Sequence, residues 1–253
     1  MISKILTTLK EKKVNDQKSI AILIDPDKID NNQLPELIEL CDSNNIDFLF
    51  VGGSLISNGN LPEIINSIKI LTTIPVVIFP GSNLHVCDNA DAILFLTLIS
   101  GRNPEYLIGQ HVVIAPVLKE SDLEILPTGY ILVDGGIETS VSYLSGTKPI
   151  PSEKPDIARA TAIAGELLGL SLIYLEAGSG ASNPVSQEII QAVDKAVEVP
   201  IIVGGGLNSR EKAWNALASG ADLIVIGNGI ESDTKIINEV SSCIREWNTL
   251  DIH

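Results

Sequence analysis

Leu172-Ile-Tyr-Leu-Glu-Ala-Gly-Ser-Gly180 reads as a buried strand that ends in an acid and opens into a glycine turn. Side chains alternate faces along a strand, so Tyr174 and Glu176 share one face while Leu175 takes the other. A phenol and a carboxylate side by side on an apolar strand pack poorly unless the pair does chemistry. The glycines that follow let backbone N–H groups come close to an anion. The stretch therefore reads as a general base joined to a phosphate cradle, at the tip of one strand in a larger parallel sheet.

Outward from it, similar runs recur with helical segments between them. Strand-like runs fall at 19–24, 46–51, 75–79, 91–98, 129–134, 200–203 and 222–226. They are continuously apolar, as parallel strands buried on both faces are. Helical segments are expected at 1–18, 31–44, 61–71, 104–109, 156–169, 184–197 and 209–219, the first with Ile5, Leu6 and Leu9 on one side. Strand–helix alternation at this spacing predicts parallel β/α units, and 253 residues suit one (β/α)₈ TIM barrel spanning 1–253. The rhythm breaks between strands three and four, where Pro80 to Ala90 is too short for a crossover helix. The predicted barrel thus lacks a helix there and exposes a wall of strand. His111–Leu118 also looks strand-like and is taken as a lead-in to strand five, and 135–154 as a long loop.

The formal charge of −15 argues against general nucleic-acid binding, which needs a basic surface. An acidic protein can still bind anionic substrates if a divalent cation and backbone dipoles neutralise them. Apolar residues make up 45% of the chain and mean hydropathy is +0.27, yet no run reaches membrane-spanning length. Cys41, Cys87 and Cys243 lack metal spacing and, with no signal peptide in view, suit a reducing cytoplasm.

Gly204-Gly-Gly206 after strand seven and Gly227-Asn-Gly229 after strand eight are where many barrels bind a phosphate. The bland reading is a pair of tight turns. Asp25 and Ser54 end strands one and two, and a carboxylate, a hydroxyl and phosphate oxygens suit Mg²⁺. Taken alone, Asp25-Pro-Asp27 also reads as an Asx-capped turn, and Lys28 as a substrate contact or solvated surface. Tyr174 and Glu176 read otherwise as a hydrogen-bonded core pair. His85 and His111 have no Ser or Cys partner pattern and read as structural. Arg102-Asn-Pro104 reads as a contact for a second anionic group or as surface salt bridging.

With these pieces together the chain resembles the geranylgeranylglyceryl phosphate synthase family, in its second group with bacterial members. The residues that carry the resemblance are Asp25-Pro-Asp-Lys28, Val51-Gly-Gly-Ser54, Ser100-Gly-Arg-Asn-Pro104, Tyr174-Leu-Glu-Ala-Gly-Ser-Gly180, Gly204-Gly-Gly206 and Gly227-Asn228. Lys154-Pro-Asp-Ile-Ala158 and Ala164-Gly-Glu-Leu-Leu-Gly169 point to the group. The resemblance implies Mg²⁺-dependent transfer of a geranylgeranyl group to the 3-hydroxyl of sn-glycerol 1-phosphate, for ether lipid synthesis, in a barrel without its third helix. It implies that Asp25 and Ser54 hold the metal and that Glu176 is the base, with Tyr174 beside it. It implies glycerol phosphate contacts at Tyr174, Leu175, Glu176, Ala177, Gly178, Ser179, Gly180, Gly205, Gly206, Gly227 and Asn228. A cytoplasmic dimer or hexamer, with transient membrane-surface contact for the lipid product, is the further expectation. The alternatives are a longer donor such as heptaprenyl diphosphate, a sugar-phosphate isomerase or lyase, and a non-catalytic phosphate-ligand sensor.

Overall fold

Strand parity decides the architecture. In the computed structural model, which describes residues 4–30, 32–57, 60–227 and 234–249, eight parallel strands close into a barrel in sequence order. They are β1 (Ser19–Ile24), β2 (Phe48–Gly52), β3 (Val76–Phe79), β4 (Ala92–Leu98), β5 (Glu124–Leu132), β6 (Leu172–Glu176), β7 (Ile201–Gly204) and β8 (Leu223–Ile226). Alternate residues point inward: Phe48, Phe50, Phe79, Leu94, Tyr130, Leu172, Tyr174 and Ile202 form one interior cluster. Their neighbours, such as Leu49, Ile78, Ile173 and Leu175, pack outward against the helices. No helix of the described residues is long and apolar enough to cross a membrane.

The helical ring begins with α1 (Ile5–Val14), α2 (Leu34–Ser43) and α3 (Leu61–Leu71), and between β3 and β4 it is interrupted. Residues 80–91 hold only turns and bends, which meets the expectation of a missing helix. Phe95, Leu96 and Thr97 of β4 are in consequence only half-buried.

The strand-like reading of His111–Leu118 is corrected: the segment lies in α4 (Gln110–Glu120), entered through a π-helical turn at Glu105–Gly109. Its β-branched residues and Pro116 speak against a helix locally. The packing overrides them, because His111 and Leu118 lie seven residues apart on one buried face. β5 accordingly starts at Glu124, earlier than expected. The long loop carries α5 (Ser140–Ser145), and α6 (Pro155–Leu167), α7 (Gln187–Asp194) and α8 (Arg210–Ala218) follow near their expected places. One further helix, α9 (Lys235–Thr249), was not foreseen and buries Ile237, Val240, Cys243 and Ile244.

α1 closes the floor of the barrel. Ile5 and Leu9 join the interior cluster from below. The amides of Lys4, Ile5 and Leu6 donate to the Glu124 carboxylate at 2.9, 2.9 and 2.8 Å, so a side chain of β5 caps this helix. Lys13 pairs with Asp222 at 2.9 Å, and Lys12 with Asp47. A carboxylate at a helix N-terminus satisfies orphan donors and complements the helix dipole. Glu124→Gln should therefore cost about 1–2 kcal/mol, read from the urea midpoint, with turnover retained because the substitution lies at the end opposite the strand tips that carry the acid and the glycine turns.

Candidate active site

The parity of β6 aims Tyr174 and Glu176 into the barrel mouth, and both are buried, Tyr174 at 0% and Glu176 at 7% exposure. Glu176 Oε1 accepts the Gly178 amide at 2.7 Å. β7 closes the other side, where a Cβ on Gly204 would stand 2.6 Å from both Glu176 Oε2 and the Tyr174 hydroxyl, and one on Gly205 2.5 Å from Oε1. Any side chain there would fill the space that the carboxyl occupies. Burial pushes the Glu176 pKa up to about 7, against the lowering effect of the Gly178 amide and the Tyr174 hydroxyl. Burial first, and then the Glu176 charge, holds the Tyr174 and Tyr130 phenols well above their ordinary range. The Tyr174 hydroxyl is buried and faces the carboxyl, though without a partner at full hydrogen-bonding geometry.

The remaining predicted residues divide. Ala177 and Gly178 are buried, and Ser179 and Gly180 are exposed. Gly178, Gly180, Gly205 and Gly206 all take positive φ and form facing turns after β6 and β7. Gly227 ends β8 beside Leu23, while Asn228 lies outside the described residues. Leu175 and Ala177 turn away, packing outward among the helices, so only their backbones can belong to this site.

Asp25 lies against the turn after β2: a Cβ on Gly53 would meet its carboxylate at 3.6 Å, one residue before Ser54. Oδ1 accepts the Asp27 amide at 3.0 Å, which is the expected Asx turn, and Oδ2 pairs with the exposed Lys28 at 2.9 Å. Among the described residues no three His, Cys, Asp or Glu side chains converge as a metal cage. One carboxylate against the turn that carries Ser54 is a donor set compatible with Mg²⁺, which keeps several waters and takes further oxygens from substrate phosphates.

A long apolar groove opens where the helix is missing. Its lining is mostly apolar, which suits a hydrocarbon better than a phosphate. Phe95, Leu96, Ile114 and Leu118 line its length, and Ser54, Phe79, Gly81 and Tyr130 line the end at the barrel mouth. Phe79, Tyr130 and Tyr174 meet edge to face, with centroids 5.3 to 6.1 Å apart, so the groove ends at the aromatic floor below Glu176. Tyr130 was missed from sequence, because it enters the site as the register partner of Tyr174 across two strands.

His85 and His111, read as structural, both border the groove. His85 Nδ1 accepts the Gly81 amide at 3.0 Å, and His111 Nε2 meets Thr97 Oγ1 at 3.1 Å. Burial lowers both pKa values, which favours neutral rings against an apolar ligand. Arg102 donates to the Ile99 and Gly101 carbonyls and opens on a separate polar cleft with Lys148. Lys119 sits in the last turn of α4 and not at a strand tip.

Comparison with known proteins agrees with this geometry. The PcrB family profile matches residues 12–244. A protein of Spirosoma linguale named geranylgeranylglyceryl phosphate synthase is 52% identical over 243 residues, 96% of this chain and 98% of that protein. One of the same name from Thermococcus gammatolerans is 39% identical over 220 residues, 87% of this chain and 86% of that one. The crystal structure of (S)-3-O-geranylgeranylglyceryl phosphate synthase from Thermoplasma acidophilum with its substrate sn-glycerol-1-phosphate superposes with a TM-score of 0.91. The two chains are 31% identical, and the match covers 97% of this chain and 100% of that one. The resemblance drawn from the strand tips is thereby borne out along nearly the whole chain, and the protein belongs to the PcrB family.

Proposed function

We propose that this chain transfers a geranylgeranyl group from its diphosphate to the 3-hydroxyl of sn-glycerol 1-phosphate, giving an ether-linked glyceryl phosphate for lipid synthesis. The observation that carries the reading is the meeting, at one barrel mouth, of a near-neutral carboxyl, a glycine-turn cradle and the end of a long apolar groove. The names and substrate complex of the relatives support it.

The residues divide the chemistry. The glycine turns after β6 and β7, with Gly227, cradle the phosphate by backbone dipoles while the Gly178 amide stays on Glu176, so a chain of net charge −15 binds an anion without a lysine. Glu176 takes the proton of the attacking hydroxyl as its oxygen bonds to C1 of the donor, and the bond from C1 to the diphosphate oxygen breaks. Tyr174 orients that hydroxyl. Holding oxygen and carbon in line supplies much of the rate. Asp25 and Ser54 would hold Mg²⁺, which when bound neutralises the leaving diphosphate. Phe95, Leu96 and Ile114 keep the prenyl tail out of water. The free cysteines Cys41, Cys87 and Cys243 suit a cytoplasmic enzyme.

The decisive assay is incubation with geranylgeranyl diphosphate, sn-glycerol 1-phosphate and Mg²⁺, with a donor series from farnesyl to heptaprenyl diphosphate. An extractable ether product supports the proposal, and its absence for every donor removes it. Glu176→Gln should lower turnover roughly 10²–10⁴-fold while glycerol phosphate binding persists in calorimetry. Because the folded pKa is raised to about 7, the basic form accumulates as pH rises through that value. The kcat/KM of the parent should climb through pH 7 and level off, and that of the variant should be flat. A charge in the groove, as in Phe95→Asp, should weaken prenyl diphosphate binding and spare glycerol phosphate; equal loss of both would show that the groove is not the donor site. EDTA should abolish turnover and added Mg²⁺ restore it, without change in glycerol phosphate affinity.

A further inference from the structure

Thr139 lies between the two substrate sites and belongs to neither. It is buried at 7% exposure and is the N-cap of α5. Its hydroxyl accepts the Ser142 amide at 3.4 Å, and Ser142 Oγ accepts the Thr139 amide at 3.1 Å, a reciprocal capping box. With Oγ1 committed to the cap, a β-branched residue has little rotamer freedom left for its methyl. That methyl points at Gly178. A Cβ on Gly178 would stand 2.3 Å from Thr139 Cγ2, and Gly178 is at φ +98°, where side chains are strained in any case. The Gly178 amide is the group that donates to Glu176 Oε1 at 2.7 Å.

The same two loops are stitched elsewhere. The Val133 amide donates to the Glu176 carbonyl at 2.8 Å, and the Asn183 amide to the Gly135 carbonyl at 3.1 Å. Along its body α5 offers Val141, Leu144 and Ser145 to the apolar groove. One short helix thus touches the groove with its body and the phosphate turn with its cap.

We propose that Thr139 is a positioning residue: its methyl fills the place of the side chain that Gly178 lacks and so holds the Gly178 amide on the Glu176 carboxylate. The two branches of one β-carbon carry separate duties, the hydroxyl ordering α5 and the methyl ordering the base. The inference rests on Glu176 being the base of the reaction proposed above.

Two substitutions separate the duties. Thr139→Ser keeps the cap and deletes the methyl. It should melt near the parent temperature, leave KM for prenyl diphosphate unchanged and lower kcat roughly 10-fold, the scale of a small misplacement of a reacting group. Losing the amide on the charged form should also move the pH midpoint of kcat/KM upward. Thr139→Val keeps the methyl and deletes the cap. It should melt at a lower temperature yet keep turnover closer to the parent. Parent turnover in Thr139→Ser, or a midpoint unchanged or lowered, overturns the proposal. A parent enzyme that makes no ether product would remove the assigned function instead. The Glu176 carboxyl titration, followed by ¹³C NMR, would then decide on Thr139 alone, a higher value in Thr139→Ser supporting it and an unchanged or lower one rejecting it.

Discussion

A carboxyl group taken out of water must find donors or give up its charge, and Glu176 is held between the two. It has one firm donor, the Gly178 amide, and an aromatic floor of Tyr174, Tyr130 and Phe79 beneath it. More donors would leave a weak base; none would leave a permanent acid. Much of the mouth serves this balance. Gly204 and Gly205 carry no side chains because the carboxyl occupies that space, and the turn after β6 curls back so that one amide reaches it. Parallel strands that end at one rim make the arrangement available.

The second constraint is charge. A chain of net charge −15 that handles two anionic substrates cannot attract them by surface field. The structure answers with directed dipoles, the turns of positive φ after β6 and β7. Lys28 neutralises Asp25 at an exposed site where the pair is worth little, so it is easily displaced.

The barrel and its rim were legible because parallel strands announce themselves as continuous apolar runs and because glycine turns carry their reason in the sequence. Alternation alone put Tyr174 and Glu176 on one face, and the structure turns that face inward. The failures have physical causes. Val112, Val113 and Ile114 favour extended backbone, and only burial of His111 and Leu118 on one face makes α4 a helix. α9 lies past the last strand, where no alternation remained to count. Tyr130 and Thr139 reach the site's residues through contacts across strands and loops, and which residues those contacts bring together is not contained in spacing along the chain. The short stretch from Pro80 to Ala90 was different: a connection too brief for a helix is visible in any sequence, and it located the groove.

That gap has a consequence for the molecule as a whole. In a complete barrel a helix would cover the outer side of β3 and β4, and here Phe95 and Thr97 stay half-exposed instead. A hydrocarbon tail lying there would complete the ring of helices as a borrowed wall, so that substrate and protein share one core. Anything that binds only the folded state adds to its stability in proportion to the logarithm of its concentration. The abundance of intact enzyme would then follow the supply of its own lipid precursor.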